Sequence, residues 1–160
     1  MLITDPTSPD FNSYAAADDL TSFLSSRGIN APASPEPLLM QAMDYLNGMN
    51  WYGDRTTLSQ PLPWPRSGVL FDGHYYPETE IPRQLITAQC MLAVEAVAGD
   101  LLGANREAAV KSEAVSGVVS VTYAVADNTS FTPTYPAVMA ILRGLAMGNG
   151  FAINATASRS

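Results

Sequence analysis

Apolar residues recur at helical spacing in four stretches of the chain and at alternate positions in a fifth, and this pattern predicts its elements. The longest stretch runs from Ile81 to Leu102, where only Glu95 between Cys90 and Ala98 is strongly polar. A helix that is apolar nearly all round is buried on several sides, so 81–102 reads as a central helix wrapped by the others. Pro82 suits its first turn, because the N–H it lacks would be unpaired there anyway, and Gly103 stands where a left-handed residue would close it. Upstream, Ala16, Leu20, Phe23, Leu24 and Arg27 share one stripe of a helix over about 13–27, capped by Asn12 or Ser13 and ended by Gly28. Leu39, Met43, Leu46 and Asn50, with Ala42 and Met49 beside them, predict a second helix over about 36–50. Pro136 opens a last one, with Val138, Ile141, Leu142 and Leu145 on its apolar side. In the fifth stretch Val119, Val121, Tyr123 and Val125 alternate with Ser120, Thr122 and Ala124, which is strand periodicity. The fold class so read is mainly α: a helical bundle around a buried central helix (about 81–102), with a small β element (about 115–126) and extended termini. Residues 1–147 form one domain, and 148–160 a flexible tail.

The segment from Trp51 to Glu80 has too little periodicity for any long element, yet it holds both tryptophans and many apolar side chains. A loop so long in a compact domain is functional or disordered, and one so apolar is not a solvated linker. It is expected to be ordered, lying against the helices or a neighbouring subunit, with its indole N–H groups hydrogen-bonded.

Composition narrows the functions open to such a chain. It has 160 residues, 47% of them hydrophobic, which is enough for one domain with a real core. The net charge of −7 leaves no basic stripe for phosphates, with one lysine, Lys111, and scattered arginines. The single cysteine, Cys90, falls in the central helix and reads as an inert core thiol in a reducing compartment. The start of the chain lacks a charged and then apolar leader, and no apolar stretch approaches the ~20 residues of a membrane span, so no membrane partner is expected. The sequons at Asn128 and Asn154 read as chance matches.

Candidate chemistry is sparse. His74 is the only histidine, and no nucleophile or orienting group marks it as a base, so it reads as a loop histidine between tyrosines. The carboxylate pairs Asp18/Asp19 and Glu78/Glu80 read as solvated surface rather than a metal site. The run Gly148, Asn149, Gly150 follows a helix, the wrong context for a phosphate loop. No catalytic residue, cofactor or metal is expected, and the chain reads as a non-enzyme. Trp51, Arg55, Trp64 and Arg66 could stack single-stranded bases, but with no lysine in the segment and an acidic chain around it they read better as core or interface anchors.

The order of motifs carries a resemblance over most of the chain, to about Leu145. The N-terminal segment DPTSPDFNSYAAADDLTSFLSSRG, the turn with Trp51, Gly53 and Arg55, the loop with Gln60, Leu62, Trp64, Pro65 and Arg66, the Ile81-Pro82 helix start and the run from Ser112 to Tyr123 occur in one order. Together they resemble the head-to-tail adaptor (connector) proteins of tailed bacteriophages, a family often labelled DnaT-like single-stranded DNA-binding protein. Pro61 and Pro63 around Leu62 depart from that pattern. The resemblance implies a structural virion protein at the head–tail junction, made in the bacterial host cytoplasm. Its partners would be the portal protein, identical subunits in a ring, most often a dodecamer, and a downstream tail or neck protein. Genomic double-stranded DNA would pass through the channel without specific binding, which an acidic lining favours. The aromatic loop would then serve as a structural or subunit-interface motif, and the N-terminal arm and the tail would order on assembly. The alternative is a replication-associated protein that binds single-stranded DNA.

Overall fold

The structure is a computed structural model, and it describes residues 1–102 and 133–147. The strand expected near 115–126, the closing role of Gly103 and the tail 148–160 lie outside the described residues. The described residues form four helices: α1 (Ala17–Ser25), α2 (Pro35–Asn47), α3 (Arg83–Ala98) and α4 (Pro136–Ile141). The segment expected to be one long loop carries four strands of two residues: β1 (Asp54–Arg55), β2 (Arg66–Ser67), β3 (Leu70–Phe71) and β4 (His74–Tyr75). They pair as two antiparallel sheets, β1 with β2 and β3 with β4.

This corrects the expected helical bundle: the domain is a small mixed α/β fold. The physical reason lies in what fills the core. Trp51, Leu62, Trp64 and Val69, all from the strand-bearing segment, are buried in the same cluster as Leu39, Leu46, Leu85 and Leu92 of the helices. A bundle closes its core with helices of comparable length on all sides. Here α4 has only six residues against sixteen in α3, and the strand-bearing segment supplies buried side chains to the same core.

Element boundaries shift for local reasons. Helix α1 starts at Ala17, not Ser13, because the residues before it are tied down elsewhere: the N–H groups of Tyr14 and Ala15 donate to Gln89 Oε1 on α3 (3.0 and 2.8 Å). Ser13 is buried and donates to the Ala15 carbonyl instead of capping. The Asp19 carboxylate, one turn in, accepts the Ala16 N–H (2.7 Å). Leu20 and Leu24 bury the predicted stripe, with Phe23 packed beside them. Helix α2 stops at Asn47, three residues short, and buries Leu39, Ala42, Met43 and Leu46 together with Tyr45. Helix α3 contacts α1, α2 and α4 and ends at Ala98, where Gly99 interrupts it before Gly103 is reached.

The N-terminal arm, expected to order on assembly, is already folded on its own chain. Ile3 and Asn12 clasp it shut, with Ile3 N–H donating to Asn12 Oδ1 (2.8 Å) and Asn12 N–H returning to the Ile3 carbonyl (3.0 Å).

Candidate functional site

The predicted motif residues converge on one knot. Trp51 and Trp64 meet edge to face, ring centroids 5.9 Å apart, and both are buried. Their indole N–H groups, expected to be hydrogen-bonded, are buried without a partner among the described residues. The Trp64–Pro65 peptide bond is cis, and the Trp64 N–H donates to the Tyr14 hydroxyl (3.3 Å). Burial raises the Tyr14 pKa, so that hydroxyl stays neutral.

Polar side chains bind the knot to itself. Arg66 donates three ways: Nε to the Tyr52 carbonyl (2.7 Å), Nη2 to that of Gly53 (2.6 Å) and Nη1 to that of Pro63 (3.1 Å). Arg55, opposite Arg66 in the β1–β2 pair, donates through Nη1 to the Gln60 and Leu62 carbonyls (2.9 and 3.2 Å). Two like charges in cross-strand register repel. Each guanidinium here turns away to carbonyl oxygens. Partial burial, with Arg55 adding to it, lowers the Arg66 pKa. Gln60 completes the closure, accepting the Thr57 N–H and donating to the Leu62 and Pro65 carbonyls. Gly53 has a φ of +74°, and a Cβ there would lie 2.4 Å from the Ser67 carbonyl oxygen. Only glycine lets the two chain segments approach so closely.

The remaining motif residues start α3. Pro82 is buried at its N-cap and Ile81 packs half-buried against the core. Two residues the sequence reading passed over matter as much. Gln89 is fully buried, and besides holding Tyr14 and Ala15 it donates to Ser13 Oγ (2.8 Å) and the Leu39 carbonyl (3.0 Å). A single glutamine in an apolar run, with four polar partners to satisfy, was the available signal. Tyr14 was the other. Cys90 is buried, and burial above all, with Asp19 adding to it, pushes its thiol up to about 12. At neutral pH it is not a thiolate. The exposed His74 has its Nδ1 3.1 Å from the Asp72 carbonyl oxygen, a contact within its own hairpin. Among the described residues no cluster of three or more His, Cys, Asp or Glu could hold a metal ion, and no helix is long and apolar enough to cross a membrane.

Beside the knot lies an open face. After α4 the chain turns at Gly144 and pairs back on residues 50–52: Tyr52 N–H donates to the Leu145 carbonyl (3.0 Å) and Met147 N–H to that of Asn50 (2.9 Å). Gly144 has a φ of +91°, and a Cβ there would lie 3.0 Å from the Phe71 ring. Two shallow depressions meet there. One is lined by Tyr52, Met139, Ala140 and Arg143, the other by Phe71, Asp72, Arg83, Gln84, Ala140 and Arg143. Tyr52 is 44% exposed. The Arg83 and Arg143 side chains, both exposed, have no hydrogen-bond or ion-pair partner among the described residues.

The profile of a family described as "Putative DnaT-like ssDNA binding protein" matches residues 1–160. No curated protein and no solved structure matches the chain. The chain belongs to that family.

Proposed function

We propose that this family member is a non-enzymatic binding protein for single-stranded DNA. The observation that carries the reading is the family match over the whole length of the chain. Its physical form differs from the one the tryptophans invite. Sequence-tolerant binders combine a cationic track for the backbone with aromatic faces for the bases. Trp51, Trp64, Arg55 and Arg66 serve neither purpose here, since the indoles are buried and the guanidinium groups already hold carbonyl oxygens. With a net charge of −7 the attraction to phosphate is weak, so binding is expected at low salt and largely lost at physiological salt. Fluorescence anisotropy of a labelled oligothymidylate, titrated with the full chain across a salt series, tests this. Binding that weakens as salt rises supports it, with duplex DNA of equal length as the comparison. A flat signal even at the lowest salt removes it.

A second reading, the head-to-tail adaptor ring, draws support from a different observation. Leu58 is 97% exposed at the tip of the proline-rich loop, and the chain is strongly acidic. An uncovered leucine suits an assembly contact, and an acidic ring suits a channel through which DNA slides. Gold-tagged antibody against this chain would mark the tail-bearing vertex of intact virions under this reading. Virions without label would remove it.

A further inference from the structure

We infer that the face shared by Tyr52, Phe71, Arg83 and Arg143 is where a DNA strand lies, an assignment that rests on the single-stranded DNA reading. Four observations converge on it. First, Arg83 and Arg143 differ from the arginines of the knot and from Arg27, whose guanidinium donates to the Phe23 carbonyl: their own are uncommitted among the described residues. An arginine with no internal partner keeps all its donors for a ligand, and phosphate oxygens match their fork. Second, the two depressions share Ala140 and Arg143, so they adjoin, and the path from one to the other passes the Arg143 cation.

Third, aromatic rings border that path. Tyr52 stands at one end, exposed, and Phe71 at the other, half-buried. Fourth, the backbone beneath is rigidly held. Tyr52 is fixed by its N–H to Leu145 and by the Arg66 fork on its carbonyl, while Phe71 rests on Gly144. A stacking residue on a pinned backbone costs little further ordering when a base arrives. The knot therefore acts at one remove, because Arg66 positions Tyr52 without touching a strand itself.

One charge on the path opposes this use. Asp72 lines the same depression as Arg83 and Arg143 and repels phosphate. It occupies the first turn position of the β3–β4 hairpin with a φ of +53°, a conformation that asparagine also accepts. Asp72→Asn therefore removes the charge and leaves the turn intact.

The test is the same anisotropy titration, run on the unaltered full chain and three full-length variants in parallel. Relative to the unaltered chain, the double variant Arg83→Glu/Arg143→Glu is expected to lose at least tenfold in affinity. The slope of log affinity against log salt should fall by about 0.7 for each phosphate contact removed. Tyr52→Ala, which keeps both backbone hydrogen bonds, should weaken binding roughly tenfold with an unchanged slope. Asp72→Asn should tighten binding, a change that a purely structural role for this hairpin would not produce. If the unaltered chain binds no strand, the single-stranded DNA reading fails and this site with it. If the unaltered chain binds and all three variants bind equally well with the same slope, the reading stands and this face is overturned. Should the double reversal fail to fold, Tyr52→Ala and Asp72→Asn decide the matter alone.

Discussion

The knot at residues 51–67 and the face beside it contain the same kinds of side chain in opposite states. In the knot, two arginines and two aromatic rings are turned inward, the guanidinium groups on carbonyl oxygens and the indoles against each other. On the face, two arginines and two aromatic rings border open depressions, and the arginines have no partner among the described residues. The difference shows that an arginine beside an aromatic ring is not by itself a nucleic-acid signal. What counts is whether the chain has already used its donors, since a guanidinium that caps buried carbonyls stabilises the fold and is lost to any ligand.

Substitutions can break that contrast, and the largest effect belongs to the knot. Trp64→Ala empties the most voluminous fully buried side chain, and a loss of about 3–5 kcal/mol in thermal or denaturant unfolding is expected. Gly53→Ala comes next. It forces a Cβ onto a left-handed residue and against backbone that cannot yield, at a cost of at least about 2 kcal/mol in the same measurement. Arg66→Lys sharpens the comparison further, because it keeps the charge and loses the fork that spans the Tyr52, Gly53 and Pro63 carbonyls. A loss of about 1.5–3 kcal/mol in urea unfolding is expected, whereas a purely electrostatic role would leave stability unchanged.

Alkaline pH probes the helical side of the core through Cys90 and Tyr45. Burial pushes Cys90 from 9.0 and Tyr45 from 10.0 up to about 12. Both groups are neutral when protonated, so the unfolded chain ionises first. Their contribution to stability is complete below about pH 9 and is lost as pH rises toward 12. Denaturant midpoints measured across that range should be level at first and then fall. The smallest effect is expected on the face, where Arg83→Ala and Arg143→Ala should each leave unfolding free energy within about 0.5 kcal/mol of the unaltered chain. A larger loss there would mean that these arginines are structural after all, and the contrast with the knot would collapse.

Much of the helical architecture is legible from spacing alone, because a three-to-four residue repeat is a local property that the core enforces wherever it occurs. Leu20 and Leu24, Leu39 and Met43, and Val138 and Leu142 are buried as their spacing requires. The sequence reading places the hairpin at Leu70 to Tyr75 inside the long loop, although turn chemistry rather than alternation made it legible in principle. Its Asp72-Gly73 pair, both at positive φ, is the two-residue turn that such hairpins favour. The β1–β2 pair was not, because two-residue strands ten residues apart leave no period to detect. The bundle reading failed at the same place: it took the segment that buries Trp51, Leu62, Trp64 and Val69 for one long loop against the helices, whereas that segment carries two antiparallel strand pairs.

By itself, then, the sequence marked the four stretches that contain α1 to α4, though not that α4 stops at Ile141, and it determined that the segment around the tryptophans is ordered and that Cys90 is a core thiol. Each follows from composition or from spacing within a dozen residues. Only the tertiary structure decided that Gln89 ties the N-terminal segment to α2 and α3, that Arg66 reaches back to Tyr52 while Arg143 reaches nothing among the described residues, and that Phe71 rests on Gly144. The reason is that a hydrogen bond is settled by which donors and acceptors the folded chain brings within about 3 Å of one another, and partners such as Tyr14 and Gln89, 75 residues apart, share no local pattern.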